Sequence, residues 1–161
     1  MNTPWDTELA AYLQDLSAVQ DKTLNVLARK RQMLMEADTE GLAAVGEEEA
    51  RLVEGLQACL DRREELLARA RREGLPGDSL RSLSAGLPSP AKDDLSYQVR
   101  LASHRTRLLQ HQSLTNWVVV QKTLIHLSQL LEIIATGGRL QPTYGKDEPV
   151  HASGALVDRE V

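Results

Sequence analysis

The residues of this 161-residue chain with most chemistry to offer are four histidines, one cysteine and a few adjacent carboxylates. His104 and His111 stand seven positions apart, two helical turns, and so share a face. Neither they nor His126 has a Cys, Asp or Glu three or four positions away, the offset that would present a second metal ligand on the same face. His126 falls on an apolar face and reads as a satisfied histidine at a helix contact, and His151 lies near the C-terminus. Cys59 has no CxxC partner and no second cysteine to pair with, so it reads as a small core residue. Gly137-Gly138 follows a helical pattern, whereas a phosphate cradle needs a glycine loop that opens a helix and offers its free N–H groups. Ser113 and Ser128 lack a positioned base, and Glu64-Glu65 sit among arginines on a helix surface. The expectation is a binding protein with no catalytic residues, no metal and no cofactor.

Charge and composition narrow the partner. A formal net charge of −4 with 26% charged residues does not favour a polyanion, so nucleic acid is not an expected partner. The basic runs Arg29-Lys30-Arg31, Arg62-Arg63 and Arg71-Arg72 lie beside Glu36, Glu64, Glu65 and Glu73, the pattern of a solvated helix face. Residues 1 to 9 carry Asp6 and Glu8 and lack the basic start and apolar run of a signal peptide. The apolar stretches Trp117 to Val120 and Leu130 to Ala135 fall short of the ~18 residues that span a bilayer, so no membrane insertion and a cytoplasmic address are expected. With no Phe, two Trp and three Tyr, bulk must come from Leu and Ala seams between long helices.

Periodicity supplies those helices. Leu9, Leu13, Leu16, Leu24, Leu27 and Leu34, broadened by Tyr12, Val19 and Met33, mark a first helix over about 7–37. Asp38 to Gly41 offers a cap and a reversal, and a second helix over about 40–73 carries Leu42, Val45, Leu52, Leu56, Cys59 or Leu60, and Leu66-Leu67. Similar lengths and a short connection predict an antiparallel hairpin. Leu80, Leu83 and Leu87 predict a short linker helix. Ser89-Pro90 then reads as a cap and first helical position for a long third helix, about 90–136, ended by Gly137-Gly138. The fold class is all-α: an elongated antiparallel hairpin plus a long third helix in a coiled-coil-like bundle, residues 1–138. Residues 139–161, with Pro142, Gly145, Pro149 and Gly154, bury too little to fold and read as a flexible tail.

The seam of the long helix, at a period near 3.5, passes through Leu95, Val99, Ala102, Leu109, Gln112, Asn116, Val119, Thr123, His126, Leu130 and Ile133. Gln112, Asn116 and Thr123 could set register between helices or contact a ligand. Farther on, Leu124, Ile125, Leu127, Leu130, Leu131, Ile133 and Ile134 spread over more of the circumference than one seam requires.

This order of parts resembles the FlgN-type flagellar export chaperones over about residues 8 to 147. Asn116, the run Leu127-Ser128-Gln129-Leu130-Leu131-Glu132, Gly137 and Thr143-Tyr144-Gly145 look like that family's C-terminal pattern. The resemblance implies a cytosolic chaperone that binds hook-associated (hook–filament junction) proteins, keeps their terminal helices from associating early, and delivers them to the flagellar type III export gate. By position, Asn116, Leu127, Leu130, Leu131, Ile133 and Ile134 would hold an amphipathic client helix, and Tyr144 with Gly145 would dock at the export gate protein. The competing expectation is a structural coiled-coil scaffold or adaptor whose long-helix surface closes a permanent homodimer.

Overall fold

The computed structural model describes residues 4–88 and 90–138. It contains four helices, α1 (Trp5–Glu36), α2 (Thr39–Arg72), α3 (Leu80–Gly86) and α4 (Lys92–Ala135), and no strand among the described residues. The expected all-α class and the three long helices hold to within two residues at each end. The expected tail, with Tyr144 and Gly145, lies outside the described residues, as does Ser89, the expected cap of the long helix. That helix begins at Lys92, two residues beyond the expected Pro90, with Asp93 and Asp94 in its first turn where acids oppose the positive end of the dipole.

Local chemistry sets the helix ends. Asp38 caps α2, its carboxylate accepting from the Gly41 N–H at 2.9 Å. Ser79 and Ser82 form a reciprocal capping box that lets the seven-residue α3 start cleanly. Arg69, Arg71 and Arg72 crowd the last turn of α2, opposite in charge to its C-terminal dipole. Gly137 and Gly138 turn left-handed after α4, and their N–H groups reach the Ile134 and Ile133 carbonyls.

Paired side chains report how the helices run. Between α1 and α2 one partner's number rises as the other falls: Glu8 with Arg69, Asp15 with Arg62 at 2.7 Å, and Lys30 with Glu49 at 2.6 Å. These two helices are therefore antiparallel. Between α1 and α4 the partners stay 81 to 89 residues apart, from Gln20 with Ala102 to Arg31 with Gln112 and Leu27 with Asn116. α4 therefore runs parallel to α1, and α3 lies on the connection that brings the chain back.

The main core collects at the end where α3 sits. Leu9, Tyr12 and Leu13 of α1, Leu66, Leu67 and Ala70 of α2, Leu80 and Leu83 of α3, and Leu95, Val99 and Ala102 of α4 pack as one buried cluster. Tyr12 is 1% exposed and donates to the Cys59 carbonyl at 3.2 Å, which satisfies its hydroxyl. Burial raises the Tyr12 phenol above its ordinary 10.0. Its contribution to stability is thus fully present below pH 10 and is lost as pH climbs through the raised value. By spatial contact the chain divides into two units, residues 1–123 and 124–161. The first holds the hairpin, α3 and α4 as far as Thr123, and the described part of the second is helical to Ala135.

Two positions carry residues that suit each other's places. Ala37 ends α1 with φ of 54°, a left-handed conformation that a Cβ disfavours. Gly46 lies inside α2, exposed, with nothing within 4 Å of a Cβ built on it. Gly46→Ala is expected to stabilise the fold by about 1 kcal/mol and Ala37→Gly by about 0.5–1 kcal/mol, each read as a rise in the urea midpoint at constant slope.

Candidate functional site

The α1–α4 contact is built from polar side chains at intervals. Gln20 is 1% exposed and donates to the Ala102 carbonyl at 3.1 Å and the Thr106 hydroxyl at 3.0 Å. Between those two partners on α4, Arg105 meets Ser17 at 2.6 Å and Asp21 at 2.9 Å. Farther still, Arg31 donates to Gln112 and, at 3.2 Å, to Asn116, whose amide nitrogen donates to the Leu27 carbonyl at 2.9 Å. The amide of Asn116 is therefore engaged on both sides within unit 1. Gln112 and Asn116 act as register residues between α1 and α4, one of the two roles open to them from sequence.

Those contacts stop where α1 stops. α1 ends at Glu36, whose partner in this register falls near residue 121, and Gln121 is the last described residue with any partial burial. The expected seam is buried or partly buried from Leu95 to Val119, but Thr123, His126, Leu130 and Ile133 are exposed. Leu127, Leu130, Leu131, Ile133 and Ile134 are between 42% and 74% exposed, with Leu124 and Ile125 beside them in sequence and equally open. At about 100° per residue, Ile133, Leu130, Ile134, Leu127, Leu131 and Leu124 follow one another around nearly half of the helix, about 180°, against the ~100° stripe of an ordinary surface helix. Lys122, Gln129 and Glu132 occupy the other side.

Of the residues singled out from sequence, the structure thus brings five together, Leu127, Leu130, Leu131, Ile133 and Ile134, in one exposed apolar band. Asn116 stands apart from them, buried against α1. Trp117, 59% exposed, was not singled out, although it precedes Leu124 and Leu131 at intervals of seven and so continues their line on α4. One expectation needs correcting. The apolar stretches looked too short for a membrane span, yet an 18-residue window of α4 reaches a mean hydropathy of 1.3, enough in length and composition to cross one. Each apolar stretch is short by itself, but the window averages across the polar residues between them.

His104, His111 and His126 are exposed on α4, and His151 is outside the described residues. Among the described residues no three His, Cys, Asp or Glu side chains are grouped as metal ligands would be. What the band offers is apolar area on a helix, a surface suited to association.

A family model described as FlgN protein matches residues 1–149. The chain belongs to the FlgN family. As a FlgN-family member it is a flagellar export chaperone and binds flagellar proteins. No curated protein and no solved structure matches the chain.

The two halves of α4 should respond differently to substitution. Asn116→Ala removes a buried amide from Leu27 and Arg31 and is expected to cost about 1–2 kcal/mol of stability. Leu131→Glu, on the exposed band, should leave stability within about 0.5 kcal/mol of the parent. Denaturant unfolding of the two variants checks both values.

Proposed function

We propose that this FlgN-family chain is a cytoplasmic chaperone for hook-associated proteins, holding an amphipathic client helix against Leu127, Leu130, Leu131, Ile133 and Ile134. Asn116 serves this site by fixing the register of the helix that carries it. The observation that supports the reading is the exposure of that band on a helix whose C-terminal end is closed by Gly137 and Gly138. A contiguous apolar face of this breadth is costly to leave in water, and a client helix would cover it with its own apolar side. Junction proteins held before secretion need such cover, since their terminal helices would otherwise pair early. A client segment that orders on binding loses conformational entropy, which moderates affinity and permits release at the export gate protein. Tyr144 and Gly145 are the residues proposed to dock there.

The composition of the band favours a helix partner over a lipid bilayer. Lys122, His126, Gln129 and Glu132 interrupt the apolar window, and a central Lys or acid costs about 2.5–3.5 kcal/mol on insertion. Against a client helix Lys122, Gln129 and Glu132 stay in water on the far side, and His126 falls at the edge of the band beside Ile133 and Leu130.

Pull-down from flagellated cells with the full chain as bait tests the reading. The parent protein should retain a hook-associated protein, and Leu130→Glu, folded by circular dichroism, should lose it. Retention by the folded variant would remove the band from the client site. A chain ending before Gln141 should keep client binding and lose delivery, and loss of binding by that truncation would break the proposed division between band and tail. Light scattering separates the scaffold alternative, because a dimer whose stoichiometry does not change with concentration and that covers Leu127 to Ile134 leaves no surface for a client.

A further inference from the structure

The three long helices leave a cavity of about 460 Å³ within residues 12–110. Its volume falls in the range of small-molecule sites, about 300–1,000 Å³. Leu16 of α1, Leu56, Cys59 and Leu60 of α2, and Leu109 of α4 make much of its wall. Leu60 is 53% exposed, so the cavity is open to solvent along the α2 side.

One charged group lines it, Arg63. Six described cations are partly buried: Lys30, Arg31, Arg62, Arg63, Arg69 and Arg105. Lys30, Arg62, Arg69 and Arg105 each hold a carboxylate, and Arg31 holds the Gln112 and Asn116 side-chain oxygens. Arg63 alone among the six has no ion pair or hydrogen bond to any described residue. Its sequence position explains this. The residues three and four away on α2 are Cys59, Leu60, Leu66 and Leu67, so no acid can reach it along its own helix. No Asp or Glu from another helix lines the cavity either.

A guanidinium drawn partly out of water without a partner forgoes the charge-assisted bonds that its fork of donors is built to make. Here it shares the wall of the space with five leucines and with neutral polar groups such as Gln20, Thr106 and Gln110. A phosphate or nucleotide would call for several cations or a cluster of backbone N–H groups, which this wall does not offer. A single guanidinium beside apolar walls matches a monoanion with an apolar body.

We infer that the cavity binds a small hydrophobic carboxylic acid, its chain among Leu16, Leu56, Leu60 and Leu109 and its carboxylate on Arg63. The acid gains bidentate hydrogen bonds and buries apolar surface, and Arg63 acquires the partner that the other five partly buried cations among the described residues already have. This site is separate in sequence from the band on α4 and does not depend on the client reading.

The test uses the full chain and octanoate, below its micelle concentration, with octanol as the uncharged match. Cys59 lines the cavity and is the chain's single cysteine, so its alkylation by N-ethylmaleimide reports occupancy. Burial pushes the Cys59 thiol up, and the reaction is therefore followed in mildly alkaline buffer. Calorimetry should show saturable one-to-one binding of octanoate, and saturation should slow the alkylation severalfold. Octanol should bind about tenfold more weakly or worse, Arg63→Gln should reduce octanoate to the octanol level, and Arg63→Lys should recover part of the difference. Equal binding of octanoate and octanol by the parent protein would overturn the inference, as would unprotected Cys59 at saturating octanoate. Undiminished octanoate binding by Arg63→Gln would overturn it too. The parent-protein comparisons decide the matter even if a variant fails to fold.

Discussion

The parallel alignment of α1 with α4 is the constraint on which the described structure depends. A hairpin of α1 and α2 alone would leave the Leu9, Leu13, Leu66 and Leu67 cluster open on one side. Closing it requires a third long helix in one definite register, and leucine contacts alone tolerate a slip of a turn, since one Leu replaces another at little loss. Polar groups do not. Gln20 on the Ala102 carbonyl, Arg105 on Asp21, and Asn116 on the Leu27 carbonyl each leave buried or charged atoms unsatisfied if α4 slides. The register is specified by groups whose misplacement is expensive, while the apolar cluster supplies most of the cohesion.

From that alignment the exposed band follows. α1 has 32 residues and α4 has 44, so a parallel register that begins near the start of both exhausts the shorter helix first. Residues of α4 after Gln121 keep the apolar content of a buried seam without its burial. An isolated helix in water gains little from such a composition, and a solvated surface helix would carry more charge there. Apolar excess at that position is what the proposed client site would require.

The same arrangement accounts for the cavity at Arg63. α3 closes one end of the bundle with Leu80 and Leu83, and α4 lies along α1 through polar contacts that hold the helices in place without filling the space toward α2. Tyr12, the one large aromatic buried in the core among the described residues, reaches the Cys59 carbonyl but does not occupy the gap. A chain without Phe has few side chains bulky enough to do so.

How much of this was legible beforehand differs between elements. The helices, their caps at Asp38 and Gly137-Gly138, the leucine cluster, the linker helix on Leu80 and Leu83, and the apolar excess from Leu124 to Ile134 are local in origin. They depend on period, capping chemistry and composition within a few residues, and those are written in the order of the chain. The same local pattern also carried the resemblance that the family match supports. Gln20 gave no signal, because a glutamine on an apolar stripe looks the same whether or not a carbonyl 82 residues away awaits it. Asn116 was visible as a polar seam residue, but whether it met α1 or a ligand depended on the direction of α4. The isolation of Arg63 needed the absence of acids on two other helices, while its own neighbours showed only that α2 could not supply one. The sequence by itself determined which residues are helical and which faces are apolar, since those are short-range properties. Only the tertiary structure decided which apolar face is covered and which left open, because coverage depends on where one helix ends relative to another.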